Sequence, residues 1–144
     1  MYYTARYANK NLKNGEYTCL RISVSTPRWK LPYLLNGEVK EIMPWGMLKI
    51  TNIEVFRKLY YDALDKYGVE RIRRSIDKYK ENGKDIVLLC YEDIRKGPSD
   101  WCHRRVFADW WKSRTGEDIE ELREADELKL QKVKNQTIEE INLF

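Results

Sequence analysis

With 144 residues, 42% of them hydrophobic and 35% charged, the chain has material for one core and a solvated surface but little for a second domain. No stretch approaches the roughly 18–20 apolar residues needed to cross a bilayer, Met1–Lys10 lacks the basic-then-apolar pattern of a secretion signal, and three irregularly spaced Cys form no disulfide framework; no membrane association and a cytoplasmic location are expected. The net charge of +4 conceals an asymmetry: Glu117–Phe144 carries nine acidic and four basic residues, which leaves the preceding residues at +9 and suits anionic partners such as nucleotides or nucleic acid.

Tyr2-Tyr3-Thr4-Ala5-Arg6 is short, aromatic and β-prone and predicts an opening strand. Asn9–Gly15 has the chemistry of a loop. A second strand is expected over Tyr17–Ser25, where Leu20, Ile22 and Val24 alternate with Arg21 and Ser23. Pro27, Pro32, Gly37 and Pro44 make Thr26–Trp45 a long irregular loop, a length more often functional than idle.

Asn52 is a good N-cap for a helix carrying Ile53, Phe56, Leu59, Ala63 and Leu64 on one face, with Gly68 as its stop. A second helix is expected from Val69 to about Asn82, with Val69, Ile72, Ile76 and Tyr79 along one side. The continuous apolar run Ile86–Tyr91 predicts a strand buried on both faces, as in a parallel sheet. After a polar loop, Ser99 or Asp100 would cap a helix to about Arg114 with Val106, Phe107, Trp110 and Trp111 inward and Gly116 as its end. Glu117–Phe144, with sparse Leu122 and Leu128, has the pattern of a solvated amphipathic helix. The succession predicts an α/β fold: a small Rossmann-like three-layer sandwich with a mostly parallel central sheet, a single domain over 1–122, and an acidic helical or flexible tail over 123–144.

In open α/β sheets, ligands bind outside the carboxyl ends of the strands. The central strand ends at Cys90-Tyr91-Glu92 and the next helix opens at Trp101-Cys102-His103-Arg104, so this topology gathers Cys90, Glu92, Cys102, His103 and Arg104 at one mouth. His103 is the sole histidine. A thiol at a helix N-terminus favours its thiolate. Arg104 and Arg105 oppose the dipole there and call for compensation by Glu92, Asp93, Asp100 or a bound phosphate.

Three chemistries compete for this mouth. Cys102 or Cys90 could serve as a nucleophile with His103 as its base. Cys90, Cys102 and His103 could bind zinc, but eleven residues separate the two Cys where zinc sites usually show close pairs; no metal and no cofactor are expected. Alternatively the site only binds, with the helix end and Arg104 holding an anion.

The run Ile86-Val-Leu-Leu-Cys-Tyr-Glu92 followed by Trp101-Cys-His-Arg104 resembles the signature of the domain-of-unknown-function 488 family, an apolar strand ending Leu-Cys-x-Glu and then Cys-His-Arg opening a helix. Tyr3-Thr4-Ala5-Arg6-Tyr7 and Arg21-Ile-Ser-Val-Ser-Thr-Pro-Arg-Trp29 resemble its other landmarks, so the similarity spans about Tyr2 to Leu122. It implies a compact Rossmann-like fold around one cleft and adds Arg6, Ser23 and Arg28 to the site; the longer Asp93–Asp100 loop and the acidic tail depart from the pattern. Arg6, Arg28 and Arg104 would then offer three cations to a phosphate-rich ligand, with Trp29 and Tyr7 available to stack on a base. The expected function is a cleft for a nucleotide-like or phosphorylated anion with thiol-assisted chemistry; a non-catalytic nucleic-acid module using the basic body, or a small interaction protein, are the alternatives.

Overall fold

A computed structural model describes residues 1–92, 94–96 and 101–124. Five strands form one all-parallel sheet: β1 (Tyr2–Arg6), β2 (Tyr17–Arg21), β3 (Gly37–Glu38), β4 (Asp85–Cys90) and β5 (Glu120–Glu121), in spatial order β3-β2-β4-β1-β5. The apolar run read as a central strand is central: β4 pairs with β1 on one side and β2 on the other. Three helices, α1 (Ile53–Tyr67), α2 (Val69–Asp77) and α3 (His103–Thr115), all pack on one face. Among the described residues no helix is long and apolar enough to cross a membrane.

Strand alternation divides the core in two. Leu20, Ile22, Ile86 and Leu88 face the helices and meet Phe56, Tyr60, Leu64, Ile72, Ile76, Phe107, Trp110 and Trp111. Cys19, Val87, Leu89 and Ala5 face the other way, where Leu12 and Tyr7 cover them together with half-buried Leu31, Tyr33 and Leu35. Among the described residues the third layer is therefore a short 3-10 turn and loop side chains rather than helix.

The helix boundaries follow local chemistry. The Asn52 side chain accepts hydrogen bonds from the Glu54 and Val55 amides, and Gly116 ends α3 at a φ of 76° that a side chain would disfavour. β2 stops at Arg21, before the expected Ser25, because the Arg21 guanidinium donates to the carbonyls of Ser23 and Val24 and folds the chain there. α2 stops at Asp77 because Tyr79 N–H already bonds Ile76 in a tighter turn. Tyr79 then lies against Gly37, where an added Cβ would sit 2.2 Å from its ring; that close approach admits the two-residue β3 inside the expected loop.

The start of the acidic tail is corrected as well. Glu120–Glu121 is not helix but an edge strand on β1, extended by a Leu122 N–H bond to the Thr4 carbonyl. Leu128 and the rest of the expected tail helix lie outside the described residues, as do Asp93, Ser99 and Asp100.

Candidate active site at the carboxyl end of the sheet

β2 continues outward to β3 while β4 leads to β5 across β1, so the crevice between the carboxyl ends of β2 and β4 lies where the chain departs in opposite directions. Cys90, the last residue of β4, shares the helix-facing side with Ile86 and Leu88. α3 begins over this crevice with Cys102 as its N-cap, in place of the expected Ser99 or Asp100. Strand end and helix start thus bring Cys90, Cys102 and His103 together, all buried and none in a disulfide.

The cluster is tight. Cys90 Sγ and Cys102 Sγ lie 3.3 and 3.7 Å from His103 Nδ1, and all three atoms fall within 4.8 Å of one another. His103 Nε2 is 2.8 Å from the Ile22 carbonyl oxygen. A carbonyl only accepts, so Nε2 carries hydrogen and Nδ1 is the atom presented to the sulfurs. Glu92 is partly exposed, yet its Oε2 accepts a hydrogen bond from Cys90 Sγ at 3.3 Å.

The two thiols are electrostatically unlike. Burial opposes ionisation of Cys102, but the hydrogen bond from Cys90, the neighbouring His103 and the Arg104 charge outweigh it and hold this thiol well below the ordinary thiol range. The positive end of α3 acts in the same direction. Burial, then the neighbouring Cys102 and Glu92, pushes Cys90 well above that range. The two thiols titrate as a pair and are pushed in opposite directions. Burial likewise raises the Glu92 carboxyl, with the Cys102 charge adding to it.

Arg104 has a different role from the one its position suggested. Its side chain is fully buried, and it donates to both Glu121 carboxylate oxygens at 2.8–3.2 Å and to the Glu92 carbonyl at 2.8 Å. Glu121, on the edge strand, supplies the compensation expected from Glu92, Asp93, Asp100 or a phosphate. Nη1 is buried without an acceptor among the described residues, and the guanidinium charge favours the Cys102 thiolate. Arg105 is absorbed by Thr4 Oγ1 and the Ile119 carbonyl. Sequence reasoning missed Glu121; an acid in an acid-rich tail has no local pattern that marks it.

Two members of the expected three-cation cradle are paired with carboxylates among the described residues. Arg6 pairs with Glu124 at 2.5 Å, Arg104 pairs with Glu121, and Arg28 is exposed on the loop after β2. Ser23 donates to the Ser25 carbonyl, so the hydroxyl of buried Tyr7 donates to Ser23 Oγ at 2.6 Å; both residues hold a turn. Trp29 is half exposed and packs its ring against Tyr7 and Tyr91.

Access comes from the side of the long loop. A cleft of 280 Å³ opens between Pro44–Thr51 and the start of α3, and Glu92, Trp101, Cys102 and His103 form its floor and wall. Trp101 stacks at 4.8 Å on Phe56, which also lines the cleft. Across the Glu92–Arg104 contact lies a hollow of 140 Å³ bordered by Arg6, Arg95, Arg104 and Arg123 with Glu121 and Glu124. The chain was compared with family models, curated proteins and solved structures, and none matches.

Proposed function

We propose that the cleft receives a small nucleotide-like or phosphorylated molecule and presents its reacting group to Cys90, Cys102 and His103, and that the chain is grouped with the domain-of-unknown-function 488 family through its two cysteine motifs. The observation that carries the functional reading is the convergence of two unlike thiols and an oriented imidazole, with Cys102 and His103 lining an accessible cleft and Cys90 directly behind them. Buried groups with opposed pKa shifts beside a specific partner are what a reactive site requires and what a packed core avoids. Met47, Phe56 and Trp101 give the cleft an apolar, aromatic part beside its polar residues, against which a planar group could lie. The amide end of α3 at the cleft favours an anionic substituent.

A nucleoside and nucleotide panel tested by thermal shift checks this reading. At about a hundred times Kd a ligand adds roughly 2.7 kcal/mol of stability, and at least one phosphorylated member is expected to raise Tm. Thr51→Trp, at an exposed position on the cleft rim, should abolish that rise while leaving the free protein folded. A panel without any shift, or a shift that survives Thr51→Trp, removes the proposal. Binding to a random oligonucleotide that weakens steeply with salt and depends on scattered Lys and Arg would favour the nucleic-acid module instead.

A further inference from the structure

We infer that Cys90, Cys102 and His103 hold one zinc ion, with its fourth position open to the cleft. Sequence spacing spoke against such a site because the two Cys are not a close pair. The fold removes that objection by drawing one ligand from the end of β4 and two from the start of α3.

Zinc bonds thiolate sulfur at about 2.3 Å and imidazole nitrogen at about 2.0–2.1 Å, so neighbouring donors of a tetrahedron stand about 3.5–3.8 Å apart. The two sulfur-to-nitrogen distances are 3.3 and 3.7 Å, and the whole set fits within 4.8 Å. Both sulfur-to-nitrogen edges are close to those of that polyhedron.

The imidazole is prepared in the way metal-bound imidazoles are. Its Nε2–H is committed to the Ile22 carbonyl at 2.8 Å, which fixes the ring and leaves the Nδ1 lone pair facing the sulfurs. Two thiols and one imidazole select a soft or borderline ion such as zinc over magnesium or calcium. Three protein ligands with a solvent-facing fourth position are the arrangement of catalytic zinc, whereas structural sites close all four. Cys102, His103 and Glu92 line the cleft, so the fourth position opens toward the space where the proposed ligand would enter. Glu92 stands beside it, its carboxylate 3.3 Å from Cys90 Sγ, able to accept a proton from a metal-bound water. This use of the fourth position rests on the cleft reading; the metal site itself does not.

The test uses the full chain, reduced and stripped with a chelator. Titration with cobalt(II) should give thiolate-to-metal charge-transfer absorption and the strong visible bands of tetrahedral cobalt, saturating at one ion per chain, and zinc should erase both. Cys90→Ser, Cys102→Ser and His103→Ala should each weaken binding by at least ~100-fold, beyond the usual effect of second-shell changes. Cys19→Ser, which removes the buried thiol on the opposite sheet face, should leave it unchanged. Should a ligand variant fail to fold, wild-type protein supplies the answer: zinc should slow alkylation of Cys90 and Cys102 but not of Cys19, read by peptide mass. Absence of thiolate-to-cobalt absorption, or alkylation of all three thiols at rates indifferent to zinc, overturns the inference. Thr51→Trp separates the two proposals, since it should keep the metal and lose the small molecule; nucleotide binding without metal binding would overturn the zinc site alone.

Discussion

The two ends of the sheet make an instructive pair. At the amino end, a cavity of 480 Å³ is lined by Tyr2, Arg73, Asp77, Lys80, Trp111 and Glu117 among others. It is larger than the 280 Å³ cleft at the carboxyl end and richer in charge. Its polar groups, however, are engaged in holding the fold: Arg73 grips both Glu117 oxygens at 2.9–3.2 Å and lies over the Trp111 ring, Trp111 Nε1 donates to Glu117, and Tyr2 hydrogen-bonds Asp77. At the carboxyl end Cys90, Cys102 and His103 face one another, Cys102 and His103 line the cleft, and hydrogen bonds and neighbouring charges rather than burial set the two thiols apart in pKa. Volume alone does not mark a site; unlike ionisable groups left with one another do.

The largest expected effect tests whether the two ends are independent. Trp111→Ala removes a fully buried indole from the amino end and should cost about 3–5 kcal/mol in urea unfolding, with native-state alkylation rates of Cys90 and Cys102 unchanged. A changed thiol rate would show the ends to be coupled through α3, which carries residues of both.

Next in size is Arg104→Ala. A buried cation gripping Glu121 is a structural tie, and breaking it should cost about 3 kcal/mol, against near neutrality for an exposed arginine. Cys102 also loses a charge that favours its thiolate, so the pH profile of its alkylation should move upward. Arg104→Lys keeps the charge but not the forked grip on Glu121, and should restore the pH profile more fully than the stability. Wild-type stability in Arg104→Ala would return this residue to the role of a ligand-binding cation.

The smallest effect contrasts the clustered thiols with one that has no polar cluster. Burial pushes Cys19 from 9.0 up to about 12. The unfolded chain then releases this proton at a lower pH than the folded chain, so stability is full below the unfolded value, declines as pH rises past it, and levels off near the folded one. Between neutrality and about pH 9.5 the loss should be roughly 1 kcal/mol, seen as a falling urea midpoint that flattens in Cys19→Ala. An identical pH dependence in that variant would assign the decline to other groups.

Local chemistry made much of the fold legible: the alternation of Leu20 and Ile22, the unbroken run ending at Cys90, the Asn52 cap, and the glycines that close α1 and α3. These signals live within a few residues of one another, and so the sequence by itself determined the parallel α/β architecture and the meeting of β4's end with α3's beginning. Tertiary structure alone decided the rest. Glu120–Glu121 becomes strand because β1 offers an open edge, a matter of backbone pairing to which charged side chains are indifferent. Arg104 turns from prospective ligand to buried tie because Glu121 reaches it from that strand. The Ile22 carbonyl settles which nitrogen of His103 faces the thiols, across 81 positions of chain. Partner choice between distant groups depends on where packing leaves them, and no spacing rule along one chain encodes it.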